Sequence, residues 1–267
     1  MLIDKIKKLD SWRAPSITGD IPHGDMPGDK VEINEGHIKK ANIIFPRLIK
    51  LLEEEADKGK EKIVITVCGG SGVGKSEIAS ILSFYLTSAG IKSYTLSGDN
   101  YPRRIPMHND AERMRVYEEE GREGLVSYLG SDKEINFKEI EKIALDFKEG
   151  KEVLSLRRLG RSEGELWYDD VDMSDTNVLI IEWTHGNSDN YMGVDIPILL
   201  NSTPKETLEH RRARNRDGAT DSPFTTMVLE IEQDMIKSQA HKAKIIVSKQ
   251  GEILSYEDYT RLMDSEK

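Results

Sequence analysis

The segment Gly69-Gly70-Ser71-Gly72-Val73-Gly74-Lys75-Ser76 has the residue types and spacing that most directly indicate chemistry. It fits the pattern GxxxxGK[ST] and lies between a β-branched run, KIVITVC, and an apolar-periodic segment, the context in which this pattern forms a phosphate-binding loop (P-loop). Glycines let backbone N–H groups converge on phosphate oxygens, and the following helix adds the dipole of its N-terminus. Lys75 can then reach the β- and γ-phosphates, and the Ser76 hydroxyl can ligate Mg²⁺. The segment therefore predicts a site for a nucleoside triphosphate with Mg²⁺.

Acidic residues follow or close two predicted strands, Asp99 after residues 92–96 and Glu182 within residues 177–183. Because the carboxyl ends of parallel strands border the ligand crevice, both should face the P-loop. Asp99 could accept the proton of an acceptor hydroxyl, although SGDN also favours an Asx turn. Glu182 could hold Mg²⁺ directly or through water, or could be a strand-end charge in solvent. His185 could shape the crevice or be a simple loop residue.

Arginines form a further group of candidates. In HRRARNRD, Arg212 and Arg216 are four residues apart and share one helical face, from which they could close over the triphosphate. The alternative is a solvated basic face. Arginines that follow Asp99 or precede Tyr168 suit phosphate or carboxylate recognition, which favours an anionic acceptor, unless they pair with the surrounding acidic residues. These are Arg103, Arg104, Arg113, Arg115, Arg122, Arg157, Arg158 and Arg161.

Alternation of predicted strands and helices indicates an α/β protein with a mostly parallel sheet covered on both faces. Residues 1–34 are rich in Pro, Gly and Asp and predict an irregular arm, which could pack on the domain or on a second subunit. The predicted helices are 35–57, 76–88, 109–129, 136–149, 204–216 and 224–238, and the predicted strands are 62–68, 92–96, 177–183, 195–200 and 243–247.

Composition narrows the class of protein. The chain has 267 residues, 37% of them hydrophobic and 32% charged, which is typical of a water-soluble globular protein. The formal net charge of −10 argues against nucleic acid as the main partner. No apolar run is long enough to span a membrane, and the single cysteine fits the reducing cytoplasm.

The order of these motifs resembles the uridine kinase and phosphoribulokinase group of P-loop kinases, over roughly residues 62–248. The resemblance implies a P-loop NTPase fold, three-layered α/β/α, with a five-stranded parallel core and an arginine-bearing lid around 208–223. It implies that Asp99 is the catalytic base, that Glu182 is the acidic residue of the metal site and that Arg212 and Arg216 act from the lid. The acceptor-binding candidates are Tyr101, Arg103, Arg104, Arg158, Tyr168, Asp169 and His185. The group usually has glycine after the strand-end glutamate, and Trp183 at that position should narrow or reshape that side of the crevice.

We therefore expect an ATP- and Mg²⁺-dependent kinase that phosphorylates a hydroxyl of a small metabolite, nucleoside-like or sugar-(phosphate)-like. The alternative is a nucleotide-binding regulatory protein without turnover. A GTPase-like switch is disfavoured because no NKxD segment is present. We expect residues 1–60 to form an N-terminal arm and helix, which could cover the active site or build a homodimer, and residues 61–267 to form the kinase domain.

Overall fold

Parallel strands form the centre of the protein, as the computed structural model shows for residues 1–9, 11–17, 21–160, 162, 164–214 and 222–265. The strands of the main sheet are β1 (Ile63–Gly69), β2 (Ser93–Ser97), β5 (Val178–Trp183), β6 (Ile196–Leu200), β7 (Ile245–Val247) and β8 (Ile253–Leu254). Their order is β2-β5-β1-β6-β7-β8; the first five strands are parallel to one another, and β8 pairs antiparallel with β7 at the edge. The predicted five-stranded parallel core is confirmed, with an antiparallel edge strand added.

Helices cover both faces of this sheet. The described helices are α1 (Leu2–Ile6), α2 (Glu35–Asp57), α3 (Lys75–Ser88), α4 (Pro106–Tyr128), α5 (Phe137–Lys148), α6 (Leu208–Arg214), α7 (Pro223–Gln239) and α8 (Tyr256–Ser265). Successive β1 side chains point to opposite faces, so Ile63 and Ile65 join a core cluster with α2 and α3, whereas Val64 joins another with α5. The predicted three-layer α/β/α arrangement is confirmed.

The N-terminal segment is more ordered than its composition predicts. Residues 2–6 form α1, and its apolar side chains Leu2 and Ile6 are buried in the same core cluster as Phe45 and Leu48 of α2. A shared core means that α2 belongs to the same packed unit as β1 and α3. The division of the chain into residues 1–60 and 61–267 stays a prediction. Further along the arm, Asp25 accepts a hydrogen bond from the backbone N–H of Ser97, the last residue of β2.

A separate antiparallel hairpin, which the sequence did not predict, consists of β3 (Val153–Leu159) and β4 (Leu166–Asp172). All but one of the β4 residues are exposed, so this strand lacks the apolar alternation that identifies a half-buried strand. The predicted helix 109–129 is interrupted within α4 at Gly121, whose φ of 67° lies in the left-handed region. Helix α6 begins at Leu208 and not at residue 204 as predicted, and residues 215–221 lie outside the described part of the chain.

Candidate active site

The P-loop connects β1 to α3 and carries the phosphate-binding groups. Gly72 and Gly74 have φ values of 75° and 95°, a backbone conformation that side chains disfavour. This conformation turns the loop around the N-terminus of α3, where helical N–H groups and the helix dipole favour anions. The amine of Lys75, the first residue of α3, donates to the carbonyl of Gly70 at 3.1 Å. All eight predicted loop residues therefore lie in one strand–turn–helix unit.

Glu182 lies where three parallel strands bring their side chains together. It is paired in register with Ser97 of β2, whose hydroxyl donates to Glu182 Oε1 at 2.5 Å. The Ser76 hydroxyl donates to Oε2 at 3.2 Å, which joins the P-loop helix to the carboxylate. Burial, with a further contribution from the negative charge of Asp99, raises the pKa of Glu182 to about 7. The carboxylate is therefore not a solvated strand-end charge.

Asp99 lies in a short 3₁₀ turn, Gly98–Asn100, directly after β2. Its side chain is exposed, and its negative charge helps to raise the pKa of Glu182. The carboxylate therefore lies in the neighbourhood of Glu182, and its role as the base stays a prediction. The turn is held close to the sheet because Gly98 lies against the indole of Trp183: a Cβ at Gly98 would come within 2.0 Å of that ring.

Trp183 does not narrow the crevice. The indole is 1% exposed and packs with Phe137 and Tyr191 in the core cluster beneath the turn. His185 is also buried, in T-shaped contact with the indole at 5.2 Å. Burial lowers the pKa of His185 to about 4, so the imidazole is neutral near pH 7, and its Nδ1 has no hydrogen-bond partner among the described residues.

The arginine that the structure places against the P-loop is Arg211, one residue before the predicted one. It is 7% exposed, donates to the carbonyl of Pro204 at 2.8 Å and lies so close to Gly72 that a Cβ there would meet its Cγ at 2.7 Å. Arg212 is exposed and forms an ion pair with Glu209 at 3.1 Å. Arg216 and the rest of the predicted lid motif lie outside the described residues, so their role stays a prediction.

Arginines on the acceptor side of the crevice bind the protein itself. The guanidinium of Arg103 donates to the carbonyl of Asp132, and that of Arg104 donates to the carbonyl of Lys133 at 3.1 Å, so both hold one turn. The ion pairs are Arg104–Glu112 (3.6 Å), Arg113–Glu134 (2.6 Å), Arg115–Glu112 (2.8 Å) and Arg158–Asp25 (2.8 Å). Arg122 is exposed, Arg157 is buried with no hydrogen-bond partner for its Nε among the described residues, and Arg161 lies outside the described residues. The contacts support the structural interpretation for Arg103, Arg104, Arg113, Arg115 and Arg158, whereas recognition of an acceptor by Arg157 stays a prediction.

The remaining acceptor candidates differ in position. Tyr101 is fully buried in the core, which argues against direct contact with a substrate. Tyr168 and Asp169 of β4 are half exposed; the Tyr168 hydroxyl interacts with Glu139, and Asp169 pairs with Arg158 at 3.1 Å. These contacts leave the direct substrate role of Tyr168 and Asp169 a prediction.

Asp25 is a site residue that sequence reasoning missed. It comes from the N-terminal arm, and its Oδ1 accepts the backbone N–H of Ser97 at 2.7 Å. Its Oδ2 accepts from Tyr94 at 3.0 Å and from Arg158 at 2.8 Å. The segment HGDMPGDK has no periodicity or motif that predicts these contacts, which span 69 to 133 residues along the chain.

A P-loop and two carboxylates at the carboxyl edge of a parallel sheet define the class of P-loop phosphotransferases. Residues 64–250 match the Phosphoribulokinase / Uridine kinase family. Because this segment is more than half of the chain, the protein belongs to that family, which confirms the resemblance predicted from the order of the motifs. The described part of the chain contains no helix long and apolar enough to cross a membrane.

A curated relative, the bifunctional alpha-galactosidase/sucrose kinase AgaSK of Mediterraneibacter gnavus, is 44% identical over 216 residues. The alignment covers 81% of this chain but only 23% of the relative, so the chain spans less than a quarter of that protein's length. Two solved structures share the fold at low identity. Phosphoribulokinase from Rhodobacter spheroides has a TM-score of 0.53 and 20% identity, with 70% of each chain covered. D-glycerate 3-kinase from Cryptococcus neoformans has a TM-score of 0.52 and 14% identity, with 83% of this chain and 98% of that chain covered.

Proposed function

We propose that this protein transfers the γ-phosphoryl group of ATP to a hydroxyl of a neutral sugar, with sucrose as the first acceptor to test. The observation that carries this proposal is the 44% identity to the sucrose kinase relative over most of the chain. Since 81% of this chain is aligned, the shared segment necessarily includes most of the family segment 64–250.

The charges around the crevice support a neutral acceptor. Asp99, Glu182 and Asp25 place three carboxyl groups at the carboxyl ends of β2 and β5. The nearest acceptor-side arginine, Arg158, pairs with Asp25 and Asp169. A second negative group on the acceptor would meet repulsion from these carboxyl groups, whereas carboxylates accept hydrogen bonds well from sugar hydroxyls.

The chain's own groups divide the chemistry between them. The P-loop N–H groups and Lys75 bind the phosphates and neutralise charge that develops on the transferring group. Asp99 accepts the proton of the attacking hydroxyl, whose oxygen forms the new P–O bond as the bond to the ADP oxygen breaks. Arg212 and Arg216 close from the lid and add positive charge. Buried, neutral His185 shapes the floor beside Trp183.

The residues present fit Mg²⁺. Ser76 and Glu182 offer only oxygen donors, the type that this ion prefers, and they already lie 3.2 Å apart. A cation beside the buried Glu182 carboxylate would also offset the burial that raises its pKa. Held by Ser76 and Glu182, the ion would supply positive charge that neutralises the phosphates.

The test measures phosphoryl transfer from ATP to sucrose, other neutral sugars and sugar phosphates, for the wild type and for Asp99→Asn. Loss of the general base should lower the transfer rate by about 10²- to 10⁴-fold. Affinity for ATP should stay within about twofold, since Asp99 makes no phosphate contact in this assignment. Asp132→Asn serves as the matched control because Asp132 is exposed and contributes its backbone carbonyl to the fold.

Each result decides between the alternatives. Transfer to sucrose with a large loss in Asp99→Asn supports the proposal. Transfer only to sugar phosphates would replace the neutral acceptor by an anionic one. ATP binding without transfer to any sugar would favour the regulatory alternative, and an Asp99→Asn variant as active as Asp132→Asn would remove Asp99 from the role of base.

A further inference from the structure

The arm residues 21–29 run across the carboxyl end of the sheet beside the catalytic turn. Gly24 is buried, and a Cβ added to it would lie 3.7 Å from Thr95 Cγ2 and 3.8 Å from Glu182 Oε1. The next residue, Asp25, has a side chain that is only 8% exposed. The arm is therefore in the immediate surroundings of the metal-site carboxylate.

Asp25 binds residues that precede and follow Asp99 in the sequence. Its Oδ1 accepts from the backbone N–H of Ser97 at 2.7 Å and from Asn100 Nδ2 at 3.1 Å. Asn100, which is fully buried, also accepts the backbone N–H of Leu159 through its Oδ1 at 3.1 Å, which ties the turn to the β3–β4 hairpin. The Asp25 carboxylate therefore accepts hydrogen bonds from both ends of the turn that carries Asp99.

Arg158 completes the network on the opposite side. Its NH1 donates to Asp25 Oδ2 at 2.8 Å and its NH2 donates to the Tyr94 hydroxyl at 3.0 Å, while Tyr94 donates to the same Oδ2 at 3.0 Å. The guanidinium is 8% exposed. Charge-assisted hydrogen bonds of this kind, shielded from water, fix geometry more tightly than exposed pairs.

We infer that the arm residues 21–29 form a wall of the acceptor site and that Asp25 is a positioning residue, which holds the Gly98–Asn100 turn so that Asp99 meets the acceptor hydroxyl. The inference rests on the proposed kinase function. It assigns Arg158, predicted to bind the substrate directly, to the same positioning network, with Asp25 as its partner.

Kinetics and thermal stability distinguish two roles for Asp25: positioning Asp99 for catalysis, or only fixing the arm to the protein. Misplacing a base by a fraction of an ångström reduces the rate of the chemical step strongly, whereas the P-loop does not contact Asp25 and should bind ATP as before. The loss should therefore fall on kcat and on the KM for the sugar, and not on the KM for ATP. An anchor alone would lower the melting temperature without this division.

The experiment uses the full chain and compares Asp25→Asn, Asp25→Ala and Arg158→Lys with the control Glu32→Gln, an exposed carboxylate further along the arm. Phosphoryl transfer from ATP to sucrose is measured at varied sugar and varied ATP, with the melting temperature of each variant. In parallel, amide hydrogen exchange is followed at Ser97, whose N–H binds Asp25. Asp25→Asn keeps the shape of the side chain and one acceptor oxygen, so it removes the charge together with the hydrogen bonds that the second oxygen accepts.

We expect Asp25→Asn and Arg158→Lys to lower kcat/KM for the sugar by about tenfold or more, Asp25→Ala to lower it further, and all variants to keep the KM for ATP within about twofold. Exchange at Ser97 should accelerate in the Asp25 variants and remain at the wild-type rate in Glu32→Gln. Wild-type kinetics in Asp25→Asn, equal losses for sugar and ATP, or a faster reaction in Asp25→Ala would each overturn the inference; the last would make the arm inhibitory.

Failure of the proposed function gives a different pattern. If the wild type transfers phosphate to no sugar, the acceptor assignment is wrong whatever the variants do. The positioning role is then judged by exchange alone: unchanged protection of Ser97 in Asp25→Asn overturns it, and selective loss of protection with unchanged ATP affinity supports it.

Discussion

If Glu182 ligates Mg²⁺ as proposed, acidification should weaken Mg²⁺ binding at a pH where an ordinary carboxylate would still be ionised. Glu182 is 3% exposed, and burial together with the charge of Asp99 raises its pKa to about 7. Only the ionised form ligates Mg²⁺, so the affinity is full above this pKa and falls as the pH drops through it. Between about pH 8 and about pH 6, a single group with this pKa predicts an apparent dissociation constant about tenfold higher, or about 1.4 kcal/mol.

The assay is Mg²⁺-dependent transfer, or binding of Mg²⁺ with ATP by calorimetry, across this pH range. Glu182→Gln should bind Mg²⁺ more weakly at every pH and lose the part of the pH dependence that comes from the protein, whereas titration of the nucleotide phosphate is common to all variants. Glu232 is the demanding control, because burial also raises its pKa to about 7 and it lies at the P-loop. Glu232→Gln should retain the wild-type pH dependence. A dependence that survives in Glu182→Gln and disappears in Glu232→Gln would refute the assignment.

Two other expectations concern the lid and the N-terminal helix. Arg211→Ala should lower the melting temperature because it removes a buried side chain packed on Gly72. Arg212→Ala should leave the melting temperature unchanged and lower the transfer rate. The opposite pattern in thermal unfolding and kinetics would contradict the assignment of the two arginines. Glu55→Gln should lower the free energy of unfolding, measured in urea, by about 1–3 kcal/mol because the buried Glu55 carboxylate binds three lysines. The control Glu54→Gln, on the exposed face of α2, should change this free energy little. Equal effects of the two variants would show that the ion pairs of Glu55 contribute nothing to stability.

Local patterns predicted the nucleotide half of the site. The run KIVITVC, the glycines and Lys75-Ser76 are contiguous, and each element is specified by its own neighbours. The same holds for Glu182, because a charge closing an apolar strand can be recognised within seven residues. Contiguity explains why the sheet core, the P-loop and α3 agree with the prediction.

Contacts between distant segments were not predictable in this way. Helical spacing places Arg212 and Arg216 on one face but does not show that Arg211 is the side chain that meets the P-loop. The arginines after Asp99 could equally have bound a ligand or acidic neighbours, and only the packing of α4 against the turn at 131–134 shows the second. Asp25 forms hydrogen bonds with residues that are 69 to 133 positions away in the sequence. No periodicity in its own segment predicts these contacts.

The contact between Gly98 and Trp183 makes the two positions depend on each other during sequence divergence. With only 2.0 Å between a Cβ at Gly98 and the indole, the tryptophan excludes every side chain from the first position of the turn that carries Asp99. A change at Gly98 becomes acceptable only after Trp183 has become small, and the smaller residue would in turn leave a cavity among Phe137 and Tyr191. The order in which these substitutions can be fixed is therefore constrained, and homologues should carry either the glycine with the indole or a larger residue with a smaller one.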